Sequence, residues 1–178
     1  MAFVRLFLKI LLSLVAIFVL VGLFLPASGT VERSLHMAKP PEAVFPHIND
    51  LRAFREWSPW SEIDPETQWE FSDPSAGVGA TMEWRSKHPK VGNGSMRIIR
   101  SEPVDRIGMQ LEFDGQGGGT ALFELEPRDA GTLVHWRFES EFGWNLPGRY
   151  FGLLLDKVLG PFFENGLNSL QQKVETPE

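Results

Sequence analysis

Hydrophobic and polar positions divide the chain into three regimes. Ile10 to Leu25 (ILLSLVAIFVLVGLFL) carries no charge, and the apolar stretch reaches back to Phe3 with only Arg5 and Lys9 interrupting it. As a helix rising about 1.5 Å per residue, Phe3 to Leu25 would span about 34 Å against a hydrocarbon core of about 30 Å, with both cations snorkelling to the headgroups. The segment has no polar face, so it is not a core helix of a soluble domain. Two readings stand. One is a single-pass membrane anchor with its positive end in the cytoplasm and the rest of the chain extracytoplasmic, periplasmic or extracellular. The other is a signal peptide cleaved at the small-x-small site Ala27-Ser28-Gly29. Either way residues 1–29 separate from a domain over 30–178.

The second regime alternates with period two. Residues 30–38 place Val31, Arg33, Leu35 and Met37 on one side, as a first strand. Pro40-Pro41-Glu42 then opens a short helix through Ala43, Val44, Phe45 and Ile48. Asp50 caps a second one through Leu51, Phe54 and Trp57, ended by Ser58-Pro59. Further strands are predicted at 67–72, 78–86, 94–102, 105–114, 119–127 and 131–142. Their apolar sets are Val78/Ala80/Met82/Trp84, Ile107/Met109/Leu111/Phe113, Ala121/Phe123/Leu125 and Val134/Trp136/Phe138. Turn signals at Gly92-Asn93-Gly94, Glu102-Pro103, Asp114-Gly115 and Asp129-Ala130-Gly131 separate them, which describes an antiparallel meander solvated on one face.

The third regime is helical. Phe151, Leu155, Val158 and Phe162 form one stripe, and Phe163, Leu167, Leu170 and Val174 another, offset at Gly160-Pro161. This predicts one long helix over 147–175, bent where proline removes a donor, with its stripe on the bare face of the sheet.

Composition narrows the function. With no cysteine there is no disulfide, thiol nucleophile or thiolate zinc site. The formal charge is −6 overall; the segment before Thr30 supplies two positives and no acid, so the domain alone stands at −8. Such a domain is repelled by nucleic-acid backbones and by anionic headgroups. His36, His47, His88 and His135 fall in separate elements without ligand spacing, so no metal is implied. Gly115 to Gly119 lies between strands, as a hairpin loop and not a phosphate cradle. No G-x-S-x-G elbow is present.

Strand, two short helices, six strands and a long helix, in that order, resemble the helix-grip fold of the START-like or SRPBCC superfamily, which includes polyketide cyclase/dehydrase-like and lipid-transfer proteins. The resemblance covers roughly 30–176. It is carried by Val31-Glu32-Arg33-Ser34, by Pro41-Glu42-Ala43-Val44-Phe45, and by Leu51-Arg52-Ala53-Phe54-Arg55-Glu56-Trp57-Ser58-Pro59-Trp60. Gly77-Val78-Gly79-Ala80 leading to Trp84, and the later Arg149-Tyr150-Phe151-Gly152-Leu153, add to it. The resemblance implies an α+β fold in which a curved seven-stranded antiparallel sheet grips the C-terminal helix around an apolar cavity.

Within such a fold Trp57 and Trp60 either close the cavity mouth or pin the short helices to the sheet. Trp84, Met96, Met109, Phe123 and Trp136 fall on inward faces, lining a solid core or a cavity. Arg149 and Asp156, seven apart on one helical face, are the ionisable groups best placed at the cavity wall, unless Asp156 faces solvent. The function expected is a membrane-anchored domain that binds a hydrophobic small molecule or lipid, with no cofactor and no nucleic-acid partner. A cyclase/dehydratase-type enzyme using the same cavity is the alternative. An interaction module of the co-chaperone type would need an exposed apolar surface that the sequence does not advertise.

Overall fold

The computed structural model describes residues 2–115 and 117–176. Gln116, the second residue of the expected glycine loop, and positions 177–178 at the end of the expected domain, lie outside the described residues.

The first apolar run is a helix, α1 (Ala2–Phe24), whose Phe3–Phe24 stretch has mean hydropathy 2.8 and is long enough to cross a membrane. The chain then forms β1 (Ser28–Met37), α2 (Pro41–Asn49) and α3 (Leu51–Trp57). Asp50 caps α3 as its position suggested, with Oδ1 accepting the Arg52 N–H at 2.9 Å. Six strands follow: β2 (Gln68–Phe71), β3 (Thr81–Arg85), β4 (Asn93–Glu102), β5 (Arg106–Phe113), β6 (Gly117–Arg128) and β7 (Gly131–Glu141). They form one antiparallel sheet in the order β1-β7-β6-β5-β4-β3-β2, a meander closed by β1 returning beside β7. The last elements are α4 (Leu146–Gly152) and α5 (Leu155–Glu175).

Alternation sorts the two faces as expected. Val31, Met37, Met82, Met96, Met109, Phe123, Val134 and Trp136 are buried on the inner face. The outer face carries Glu32 near Arg137 (3.7 Å) and Glu126 near His135 (3.6 Å). The inner face is covered by α5, which lies along β1, and by α2 and α3. This is the helix-grip arrangement.

Three expectations change. The C-terminal helix is broken at Leu153-Leu154, not bent at Gly160-Pro161, and α5 runs through Pro161. The break follows from partners: α4 packs on α1 as well as on β1, whereas α5 packs along the sheet and against α2 and α3. Consequently Phe151 and Val158 are exposed, while Leu155, Phe163, Leu167, Leu170 and Val174 are buried. Val78 is also exposed, because a turn closed by the Ala80 N–H on the Gly77 carbonyl (3.1 Å) delays β3 until Thr81. Finally, Gly117, Gly118 and Gly119 are paired residues of β6, so the hairpin loop is shorter than the glycine run.

Candidate ligand-binding site

The meander places one large inward side chain on each of five adjacent strands: Trp136 on β7, Phe123 on β6, Met109 on β5, Met96 on β4 and Trp84 on β3. Register makes Phe123 the direct neighbour of Trp136, and sets Met82 beside Met96. All five are buried.

The aromatic members fall into two groups. Trp136 stacks between Phe163 (centroids 4.0 Å) and Phe123 (5.0 Å), with the edges of Trp57 (5.6 Å) and Trp60 (6.2 Å) against it. Gly166 lets α5 descend onto this nest, since a Cβ there would stand 2.8 Å from the Trp136 ring. The second group holds Trp84 between Trp69 (6.4 Å) and Phe113 (5.9 Å). Offset and edge-on contacts of this kind add to the area each ring buries.

The indole N–H groups differ. Trp57 Nε1 donates to the His47 carbonyl at 2.9 Å, which ties α3 to α2. Trp136 Nε1 is buried and has no partner, alone among side chains of the described residues. An unsatisfied buried donor costs about 1–3 kcal/mol, so native folds seldom keep one without reason.

Beside the nest, a groove of about 430 Å³ runs between α5 and the segment after α3, lined by Pro59, Ile63, Phe162, Asn165, Ser169 and Gln172. Half-buried Trp60 stands between groove and nest, its ring stacked on Phe162 at 5.9 Å.

Arg149 and Asp156 lie away from the nest and on different helices. Arg149 Nη1 donates to the Leu23 and Leu25 carbonyls (3.2 Å each), and Nη2 to Gly143 (2.7 Å). It thus serves the orphan carbonyls at the C-terminal end of α1, where a cation also suits the dipole. Asp156 is mostly exposed and takes Arg33 at 2.7 Å. Arg33 Nε reaches Glu164 at 2.8 Å. The Arg33 hydrogen bond holds the Asp156 carboxyl below its usual range, and the two carboxylates raise Arg33 further. Sequence reasoning passed over Arg33, although a cation on the apolar side of β1 was the available signal.

Polar chemistry elsewhere is structural. Ser86 Oγ donates to Asp64, lowering that carboxyl, and accepts the His88 N–H at 2.9 Å. The His88 Nδ1 is taken by the Lys90 N–H at 3.2 Å, so the trio locks a turn and does not form a nucleophile–base pair. Among the described residues no cluster of three His, Cys, Asp or Glu could hold a metal ion.

A family described as polyketide cyclase/dehydrase and lipid transport matches residues 28–175. The chain belongs to this family. Solved structures agree on the fold. Protein CV1439 from Chromobacterium violaceum superposes with TM-score 0.60 at 19% identity, covering 84% of this chain and 99% of its own. Truncated norcoclaurine synthase from Thalictrum flavum gives 0.63 at 9% identity, with 85% and 96% covered. The Aha1 dimer from Colwellia psychrerythraea gives 0.55 at 18%, with 82% and 96% covered. No curated protein sequence matches the chain. At these identities the solved structures show the fold alone, and fold does not decide function.

Proposed function

We propose that this chain is a membrane-anchored carrier or receptor for a hydrophobic small molecule or lipid, which it holds against Trp136 between the sheet and α5. The observation carrying this reading is the unpartnered Trp136 Nε1–H inside an otherwise apolar aromatic nest. Apolar walls with one convergent donor suit a ligand whose bulk is hydrocarbon or aromatic and which offers a single carbonyl or hydroxyl oxygen. Family membership supports the ligand class. Trp57, Trp60 and Phe123, whose rings meet that of Trp136, serve as its wall, and Met109, Met96 and Trp84 on the adjacent strands extend it across the sheet. Entry is by the groove at Pro59 and Phe162, with Trp60 swinging aside. Arg149 and Asp156 act on the anchor and on Arg33, outside the ligand's reach.

The anchor is α1, and the positive Arg5 and Lys9 end faces the cytoplasm. The domain then lies outside, where its acidic balance gives it no electrostatic attraction to anionic headgroups.

Native mass spectrometry of the detergent-extracted full chain tests the binding reading. A co-purified apolar species, displaced by an oxygen-bearing fluorescent fatty acid, is the expected result. A chain that carries nothing and takes up no apolar probe would overturn it.

A further inference from the structure

The apolar residues that α5 and α4 leave uncovered are not scattered. Trp144 is 84% exposed, Leu153 59% and Leu154 52%, and Phe151 and Val158 are close to half exposed. They fall within fifteen positions, at the entry to α4, along it, and at its junction with α5. Single exposed apolar side chains need no explanation, but five so close together in the chain do.

Its neighbour is α1. Tyr150 on α4 stacks on Phe18 at 4.5 Å, and its hydroxyl donates to the Phe18 carbonyl at 2.7 Å. Phe18 lies six residues before the end of α1, about 9 Å along the helix axis. With α1 across a bilayer, Tyr150 is therefore below the end of the span. Helices that lie in the interface sit about 5–10 Å into the headgroup and acyl boundary, and Tyr and Trp concentrate at that level. Arg149 fixes the geometry by binding the last carbonyls of α1.

From this placement we infer that α4 and the Leu153-Leu154 junction form a membrane-seating surface, which lies in the outer interface of the bilayer and holds the domain against it. The occupant is lipid, because α4 is packed on α1 at the depth of Phe18 and Arg149 ties it to the end of that helix. The attraction is apolar, since the domain's net charge is negative. This inference rests on the reading of α1 as a membrane span.

The chain has no cysteine, so single reporters can be placed in the full-length protein. Leu154→Cys, Trp144→Cys, Leu14→Cys in α1 and Asp129→Cys in the β6–β7 turn are each labelled with a polarity-sensitive dye. The proteins are reconstituted in phosphatidylcholine vesicles containing nitroxide-bearing lipids. Leu14, Leu154 and Trp144 reporters are expected to be blue-shifted and quenched, with Asp129 neither, and added salt should leave quenching unchanged. Two exposed reporters guard against a local folding defect at either one. Quenching at Leu14 with water-like emission at both Leu154 and Trp144 would overturn the seating surface alone. An unquenched Leu14 would overturn the span and this inference with it. Quenching at Leu154 and Trp144 that salt abolishes would overturn the apolar mode.

Discussion

Replacing Trp136 by Phe separates the ring from its donor. The substitution keeps a stacked six-membered ring between Phe123 and Phe163 but removes two carbons and the N–H. Losing two buried carbons costs about 1.6 kcal/mol at ~0.8 kcal/mol per methylene. Removing an unsatisfied donor returns about 1–3 kcal/mol. These terms oppose each other, so the ligand-free variant should unfold within about 1 kcal/mol of the parent in urea. Binding should behave differently. A probe with a carbonyl or carboxyl oxygen should lose about 1 kcal/mol, roughly fivefold in Kd, while an oxygen-free aromatic hydrocarbon binds both proteins alike. Fluorescence titration of delipidated protein with the two probes reads both numbers. Equal affinity of the oxygenated probe for parent and variant would refute the role given to the indole N–H. A destabilisation of several kcal/mol in the ligand-free protein would show that the donor is already satisfied.

Leu167→Ala, on the buried face of α5, should cost about 2–5 kcal/mol in chemical denaturation, whereas exposed Gln172→Ala should cost almost nothing. The Asp156 carboxyl is held below its ordinary value near 3.8, so its contribution is complete above that pH and disappears as pH falls through the folded value. Asp156→Asn should accordingly flatten the acid limb of the stability profile by lowering stability slightly at neutral pH, while parent and variant converge at pH values below the folded one; the loss is small because the pair is exposed. Gly160→Ala places a methyl against the Arg33 guanidinium, and combined with Arg33→Gln it should add less than the sum of the two single changes, measured by a double-mutant cycle. External protease should digest the domain in intact spheroplasts; protection would reverse the proposed topology.

Much of the fold was legible because each strand has one wet face. Where that held, as in Trp136 alternating with His135 and Arg137, the period-two pattern located both strand and inward side. The same reasoning gathered Trp84, Met96, Met109, Phe123 and Trp136 onto one surface. It failed where an apolar residue had a partner other than the sheet. Phe151 and Leu155 read as one stripe, but they belong to helices facing different neighbours, and spacing carries no information about the neighbour. Pro161 drew attention as a breaker, yet a helix packed along β1 tolerates it. Arg33 and Asp156 are 123 residues apart in the chain, and no local pattern announces such a pair.

Only Leu25, Pro26 and Ala27 stand between α1 and β1, and the Ala27 carbonyl is already held by the N–H groups of Phe142 (2.7 Å) and Gly143 (3.3 Å). Three fully extended residues reach about 10 Å. With α1 embedded, that leash is too short for the domain to roam the aqueous space or dip into a second membrane. For the proposed carrier, encounter becomes a lateral search within one sheet of lipid, and cargo would have to arrive from that leaflet or be handed over by something that comes to it.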